Sequence, residues 1–554
     1  MNRFHRRRFL ETATVGGAAV VLPAATGLHA ADPPHPSVRD VGDRKQLFTD
    51  GRFIAESTGV SRAVNPPVKA GPIRLSTPAT GYVNGVVEHE GRYLMYYRSE
   101  GGYAVATSVD GSDWECPEVT PPGPSPAAAS GRRPSVVFPG CEEGGVFLDP
   151  HDVDGFPFKA IFGIMPAATA AWGPNLAGWA APDLPPQDGK TEPGISGGLY
   201  LFRSRDGLRW ECIPKVAVPF LCDTSNQTFY DSRLGRYVAY LRGFPEQAGS
   251  PHRHRRVAVR TETADLMAMP WPFRRNPDRP VSADGCFSYP HDEMEIVLAA
   301  DARDPARTDL YNPCVHLYAD AEDVYVAFPS MFRCYGYGQR ESSHGRDFRG
   351  DADGDGLFEV QLAVSRDGIH FDRIRTPYLK PGLTRDARGT TGDLDRGLVT
   401  MGVGMIRHGD EIHQYYHATP STHVVGSVAA AQRGADPAGA VFRAVQRLDG
   451  FVSVDAGADG GELLTPAVVF SGERLVLNAD CGGSGEIRVE LQDVHGQSIP
   501  GHALADAVSI DRNGTAQEVW WRQGPDLSPL AGVPVRLRIT LRSSKLYAFQ
   551  FVSR

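Results

Sequence analysis

Carboxylates recur in this chain at one kind of place, just ahead of an apolar run. Glu143 precedes Val146-Phe147-Leu148, Asp223 precedes Thr228-Phe229-Tyr230, Asp309 precedes Val315-His316-Leu317-Tyr318, and Asp393 and Asp395 precede Met405-Ile406. Two carboxyl groups that face each other raise one another's proton affinity, so that one stays protonated as an acid while the other is ionised as a base or nucleophile. Asp223 and Asp395 lead the set because each lies in an otherwise polar segment, with Asp309 and Glu143 in reserve. Arginines recur at a second kind of place. Arg98, Arg242 and Arg333 each follow an aromatic or apolar run, and a guanidinium fork holds a planar carboxylate or sulfate at two points. Asp351, Asp353 and Asp355 offer oxygen ligands at alternate positions of a glycine-turned loop, as at the start of a calcium loop. Leu362 stands where an EF-hand needs its bidentate glutamate, so a calcium site here would need Glu359 instead. A solvated acidic turn is the alternative.

The elements that would position these groups are hairpins. Val86-Val87 turns at Gly91 into Tyr93-Leu94-Met95-Tyr96-Tyr97, and the same plan returns from Val146 to Phe162, from Thr228 to Tyr240, from Val315 to Phe328 and from Met405 to Tyr416. Antiparallel strands reverse direction, so the start of each first strand and the end of each second strand share a face. Carboxylates and arginines therefore share a face as well. A second motif, Ser-x-Asp-Gly-x-x-[Trp/Phe], is interleaved at Ser108 to Trp114, Ser204 to Trp210 and Ser365 to Phe371, with degenerate counterparts after the third and fifth hairpins. Each unit thus holds four strands, and five such units predict an all-β fold, a five-bladed β-propeller over residues 40–455. The pattern changes after Asp455, and alternating runs such as Ile487-Arg488-Val489-Glu490-Leu491 predict a β-sandwich over 456–554.

Composition agrees with many turns between short strands. Gly 61 and Pro 44 make up roughly a fifth of the 554 residues. The net charge of −9 and the lack of a basic block beyond Arg6-Arg7-Arg8 argue against nucleic acid as a partner. That arginine run, followed by Phe9-Leu10 and the apolar stretch Ala13 to Leu22, predicts a twin-arginine signal peptide over residues 1–30 and a periplasmic or secreted protein; a retained anchor is the alternative. No later segment is apolar enough to span a membrane. Eight cysteines without CxxC spacing or partnered histidines give no support for zinc. Neither disulfide pairing nor oligomeric state can be read from the residues.

The Ser-x-Asp-Gly-x-x-Trp turns and five hairpins resemble the propeller of glycoside hydrolase families 32 and 43. Leu47-Phe48-Thr49-Asp50, Asn65-Pro66-Pro67, Tyr230-Asp231-Ser232-Arg233-Leu234-Gly235-Arg236-Tyr237 and Leu448-Asp449-Gly450-Phe451-Val452-Ser453 resemble a group of exported bacterial proteins described as family-32-like. The resemblance implies that the innermost strands begin at a carbohydrate pocket. It implies glycosidic hydrolysis by paired carboxyls drawn from Glu143, Asp223, Asp309 and Asp395, and an acidic sugar if Arg98, Arg242 and Arg333 converge. It also exposes a departure. Those families carry an essential aspartate on the first inner strand, whereas this chain has Asn84 in Gly81-Tyr82-Val83-Asn84-Gly85, and an asparagine can be neither nucleophile nor general base. A sugar-binding propeller without hydrolysis is therefore a second reading. A polysaccharide lyase using Tyr335, His344 or His417 as base is a third.

Overall fold

The computed structural model describes residues 38–119, 135–164, 172, 195–221, 223, 225–245, 256–282, 285–290, 292–305, 307–334, 355–385, 391–423 and 439–553. Within them the protein is all-β. One 3-10 turn, Ser528–Leu530, accompanies the strands, and no helix there is long and apolar enough to cross a membrane.

Five sheets follow one another along the chain. The first joins Val83–His89, Arg92–Ser99, Gly102–Ser108 and Val136–Pro139; the second Glu142–Leu148, Phe158–Ile164, Gly198–Ser204 and Trp210–Val218; the third Gln227–Asp231, Arg236–Gly243, Val257–Thr263 and Glu295–Leu298. The fourth opens with Thr308–Asn312 and Val315–Leu317, one strand interrupted at Pro313, which has no N–H to donate to a ladder. The fifth joins Leu398–His408, Glu411–Thr419 and Ala440–Arg447, and its last place is taken by the N-terminal strand Val68–Pro72. Each sheet packs on the next and the fifth packs on the first, so the ring closes. Side chains stitch the inner strands together: Asn84 Nδ2 donates to Gly144 O, Asn226 Nδ2 to Glu143 O, Gln227 Nε2 to Val315 O and Cys314 Sγ to Gly402 O.

The Ser-x-Asp-Gly turns act as latches between sheets. In each, the serine Oγ accepts the glycine N–H at 2.9 Å and the aspartate Oδ1 accepts two further N–H groups. The glycine carbonyl then accepts a tyrosine hydroxyl from a neighbouring sheet: Tyr96 bonds Gly207, Tyr240 bonds Gly368, and Tyr415 bonds Gly111, which ties the fifth sheet to the first. Gly207 has φ +72°, and a Cβ there would stand 2.6 Å from the Tyr96 hydroxyl. Gly207→Ala is therefore expected to lose roughly 1–3 kcal/mol through a left-handed backbone and overpacking. Urea unfolding checks this, and an unchanged midpoint would contradict the latch.

The remaining strands form three more sheets that share an apolar core including Phe48, Phe53, Leu475, Val489, Trp521 and Phe551. Residues 40–64, expected in the ring, pair here instead: Val60–Val64 lies beside Val452–Ala456, Glu56–Thr58 beside Gly461–Leu464, and Gln46–Leu47 beside Ser544–Val552. Long-range β pairing leaves no trace in local periodicity, so the sequence could not place them. Among the described residues Cys116, Cys141, Cys212, Cys314 and Cys481 form no disulfide.

Candidate functional site

The inner strands are irregular at their starts. In the first sheet Val83 faces Tyr97 while Gly85 faces Tyr96, leaving Asn84 as an extra residue. Between Glu142 and Gly145 the second sheet gains a residue in the same way, at Glu143-Gly144, and between Leu310 and Asn312 the fourth gains Tyr311. Such bulges bend a strand and re-aim its side chains. Gly144 permits the close approach, since a Cβ there would collide with the Ile161 carbonyl. Asn84, Glu143 and Tyr311 are thereby turned toward one cluster.

Glu143 is its centre. One carboxyl oxygen accepts from Asn84 Nδ2 at 3.3 Å, the other lies 3.6 Å from Arg98, and the Tyr103 hydroxyl donates to the carboxylate. Arg98 in turn donates to Tyr103 at 3.3 Å and stands 3.7 Å from Glu142. Burial raises the Glu143 carboxyl above its ordinary 4.5; Arg98, Tyr103 and Asn84 pull it down, and the negative charge of Asp223 pushes it further up. Asp223 is therefore within electrostatic reach of Glu143. It is held at 3.2 Å by Arg242, whose side chain is 1% exposed against 38% for the aspartate.

An aromatic wall completes the cluster. Tyr82 and Tyr311 have ring centroids 6.3 Å apart, and Tyr82 also meets His417 edge-on. The Tyr311 hydroxyl shares a hydrogen with His423 Nε2 at 3.0 Å. The Arg242 and Arg256 guanidinium carbons lie 4.5 and 5.0 Å from its ring centroid, and Arg242 also donates to the Tyr311 carbonyl. Burial raises the Tyr311 phenol, with Asp223 adding to the rise and both arginines opposing it. His417 is buried and uncharged, its imidazole pushed down to about 4 by burial.

The sequence candidates fare unequally. Glu143, Asp223, Asn84, Arg98 and Arg242 come together. Asp309 is buried beside them as the ion-pair partner of Arg256 at 3.0 Å. Arg333 does not join, because strand parity turns it the other way: Phe332 packs on Tyr311 and His423 while Arg333 is exposed. Arg256, at the start of the neighbouring strand, takes the place expected for it. Asp395 does not join either. Its carboxylate accepts from Lys69 at 2.6 Å and from Tyr416 at 3.2 Å, and these bonds fix the N-terminal strand to the fifth sheet. Asp393 caps a turn through the Leu383 N–H. Asp351, Asp353, Tyr335 and His344 lie outside the described residues; Asp355 is buried and Glu359 accepts from Gln361. Among the described residues no group of three or more His, Cys, Asp or Glu is placed to hold a metal ion. Tyr82, Tyr103, Tyr311, Arg256 and His423 were not singled out from sequence, since only bulges and cross-sheet packing assemble them.

Asn84 has a structural reason to be an amide. Its side chain is fully buried and donates both to Gly144 O, at 2.6 Å, and to Glu143. A carboxylate could donate neither bond and would face Glu143 charge to charge. Asn84→Asp is expected to cost roughly 1–3 kcal/mol without raising turnover, measured by thermal unfolding beside an activity assay. A gain in turnover would show that the first sheet still wants its aspartate.

No family model matches the chain, and no curated protein matches it. Among solved structures, an N-acetylgalactosamine deacetylase from F. plautii in complex with blood group B trisaccharide is 12% identical, with 71% of this chain and 97% of that chain covered at a TM-score of 0.39. A thermostable family-43 glycoside hydrolase is 16% identical over 71% and 96%, at 0.36. A family-43 arabinoxylan arabinofuranohydrolase from Bacillus subtilis in complex with cellotetraose is 12% identical over 86% and 96%, at 0.32.

Proposed function

We propose that the chain is an exported glycoside hydrolase, a five-bladed β-propeller bearing a β-sandwich, that cleaves glycosidic bonds in a complex saccharide. The observation that carries the reading is the pairing of unlike carboxyls: Glu143 is largely buried, its side chain 12% exposed, with a raised proton affinity, while Asp223, within reach of its field, is ion-paired to Arg242 and part exposed. Glu143 protonates the leaving glycosidic oxygen, and Asp223 attacks the anomeric carbon or activates water. Tyr103 and Asn84 orient the Glu143 carboxyl through donated hydrogen bonds, Arg242 fixes Asp223, and the Tyr82–Tyr311 wall offers aromatic surface to sugar C–H faces.

An acidic sugar is the finer proposal, and it now rests on Arg98. Arg242 and Arg256 are engaged with Asp223 and Asp309 at 3.2 and 3.0 Å, whereas Arg98 keeps longer contacts to Glu142 and Glu143 and is about one-third exposed. The test is reducing-end release from neutral and uronate-containing polysaccharides by wild type, Glu143→Gln and Asp223→Asn. Release by wild type alone supports hydrolysis. Binding without release in all three would favour the sugar-binding reading, to which Asn84 in place of an aspartate lends its weight.

A further inference from the structure

A cleft begins one residue beyond Phe244, which packs on the arginines of the cluster. Phe244 stands beneath both Arg242 and Arg256, whose guanidinium carbons lie 5.7 and 5.6 Å from its ring centroid, and its ring meets Tyr289 at 4.2 Å. The next residue, Pro245, lines a cleft of about 570 Å³ that runs over the third sheet, with Asn276, Pro280, Ser288 and Ile296 on its walls. That volume falls in the ~300–1,000 Å³ range of ligand clefts. The floor is built. Arg279 and Glu293 form an ion pair at 2.9 Å with side chains 7% and 2% exposed, and Arg279 Nη2 also donates to the Ser288 carbonyl. The lining alternates apolar faces, Pro245, Pro280 and the 42%-exposed Ile296, with the polar groups of Asn276, Asp278, Ser288 and Asp292. A sugar has the same alternation of C–H faces and hydroxyl edges.

We infer that this cleft is an extension of the substrate site, holding the second and later sugar units of an oligosaccharide whose scissile bond lies between Glu143 and Asp223. The inference rests on the hydrolase reading for its direction and on the cleft for its length. It makes the protein a reader of chains, with affinity growing beyond the disaccharide as units enter the cleft.

The full-length Glu143→Gln protein, which should bind without cleaving, is titrated with fluorescently end-labelled ladders of two to eight sugars cut from pectin, xylan and mannan. The expected result is that one series tightens by about tenfold or more between two and four units. Ser288→Trp, which fills the cleft, and Asn276→Ala, which removes a polar wall group, should each reduce that gain severalfold. Affinity that is flat with length in a series that does bind, or a gain that survives Ser288→Trp, overturns the cleft and leaves the hydrolase reading standing. Failure to bind any ladder at any length overturns both.

Discussion

Glu143→Gln is expected to lower turnover on unactivated glycosides by roughly 10²–10⁴-fold, the usual contribution of a positioned acid, while leaving the fold intact. The amide is nearly isosteric and can still accept from Asn84 and Tyr103, which hold the present carboxyl. The sign of the pH effect follows from burial. A carboxyl whose folded pKa lies above its unfolded value binds more protons when folded, so its contribution to stability is present at low pH and is lost as pH rises from 4.5 through the raised folded value. Glutamine has nothing to ionise. The melting temperature of Glu143→Gln relative to wild type should therefore climb across that interval and level off above it. A variant destabilised equally at every pH would mean that Glu143 serves the fold and not the chemistry.

Asp223→Asn should cost as much turnover and behave differently in stability. It removes the carboxylate paired with Arg242 at 3.2 Å, whose side chain is 1% exposed, and a buried pair broken on one side costs ~3–5 kcal/mol in full burial. Asp223 is more than one-third exposed, so solvent screens much of that, and the Tyr311 carbonyl still accepts from the guanidinium. A fall of a few degrees in melting temperature is the expected outcome, read by calorimetry beside the kinetics. Turnover near wild type in this variant would move the second carboxyl elsewhere, with Asp309 the nearest candidate.

Local features were the legible ones. The Asp-Gly turns, the hairpins and the arginines that end second strands each follow from a few adjacent residues, and so Arg98, Arg242, Glu143 and Asp223 could be named from their positions. The pairing of the carboxyls could not be ranked. Asp395 looks like Asp223 in sequence, but its neighbours Lys69 and Tyr416 come from 326 residues before it and 21 after. Arg333 failed on parity, since one residue along a strand reverses the face. Tyr311 was hidden for a related reason: a bulge adds one residue to a strand and leaves no mark in composition.

The measurement that tests the central assignment most directly is the dependence of kcat/KM on leaving-group acidity, taken with aryl glycosides of a sugar the wild type accepts. An enzyme that protonates its leaving group is only weakly sensitive to leaving-group pKa, and one that has lost its acid depends on it steeply. If Glu143 is the acid, Glu143→Gln should lose ~10²–10⁴-fold on a poor leaving group such as phenyl and recover to within about tenfold of wild type on 2,4-dinitrophenyl, which needs no proton. Asp223→Asn should recover on neither. A Glu143→Gln deficit of the same size for every leaving group would contradict the assignment.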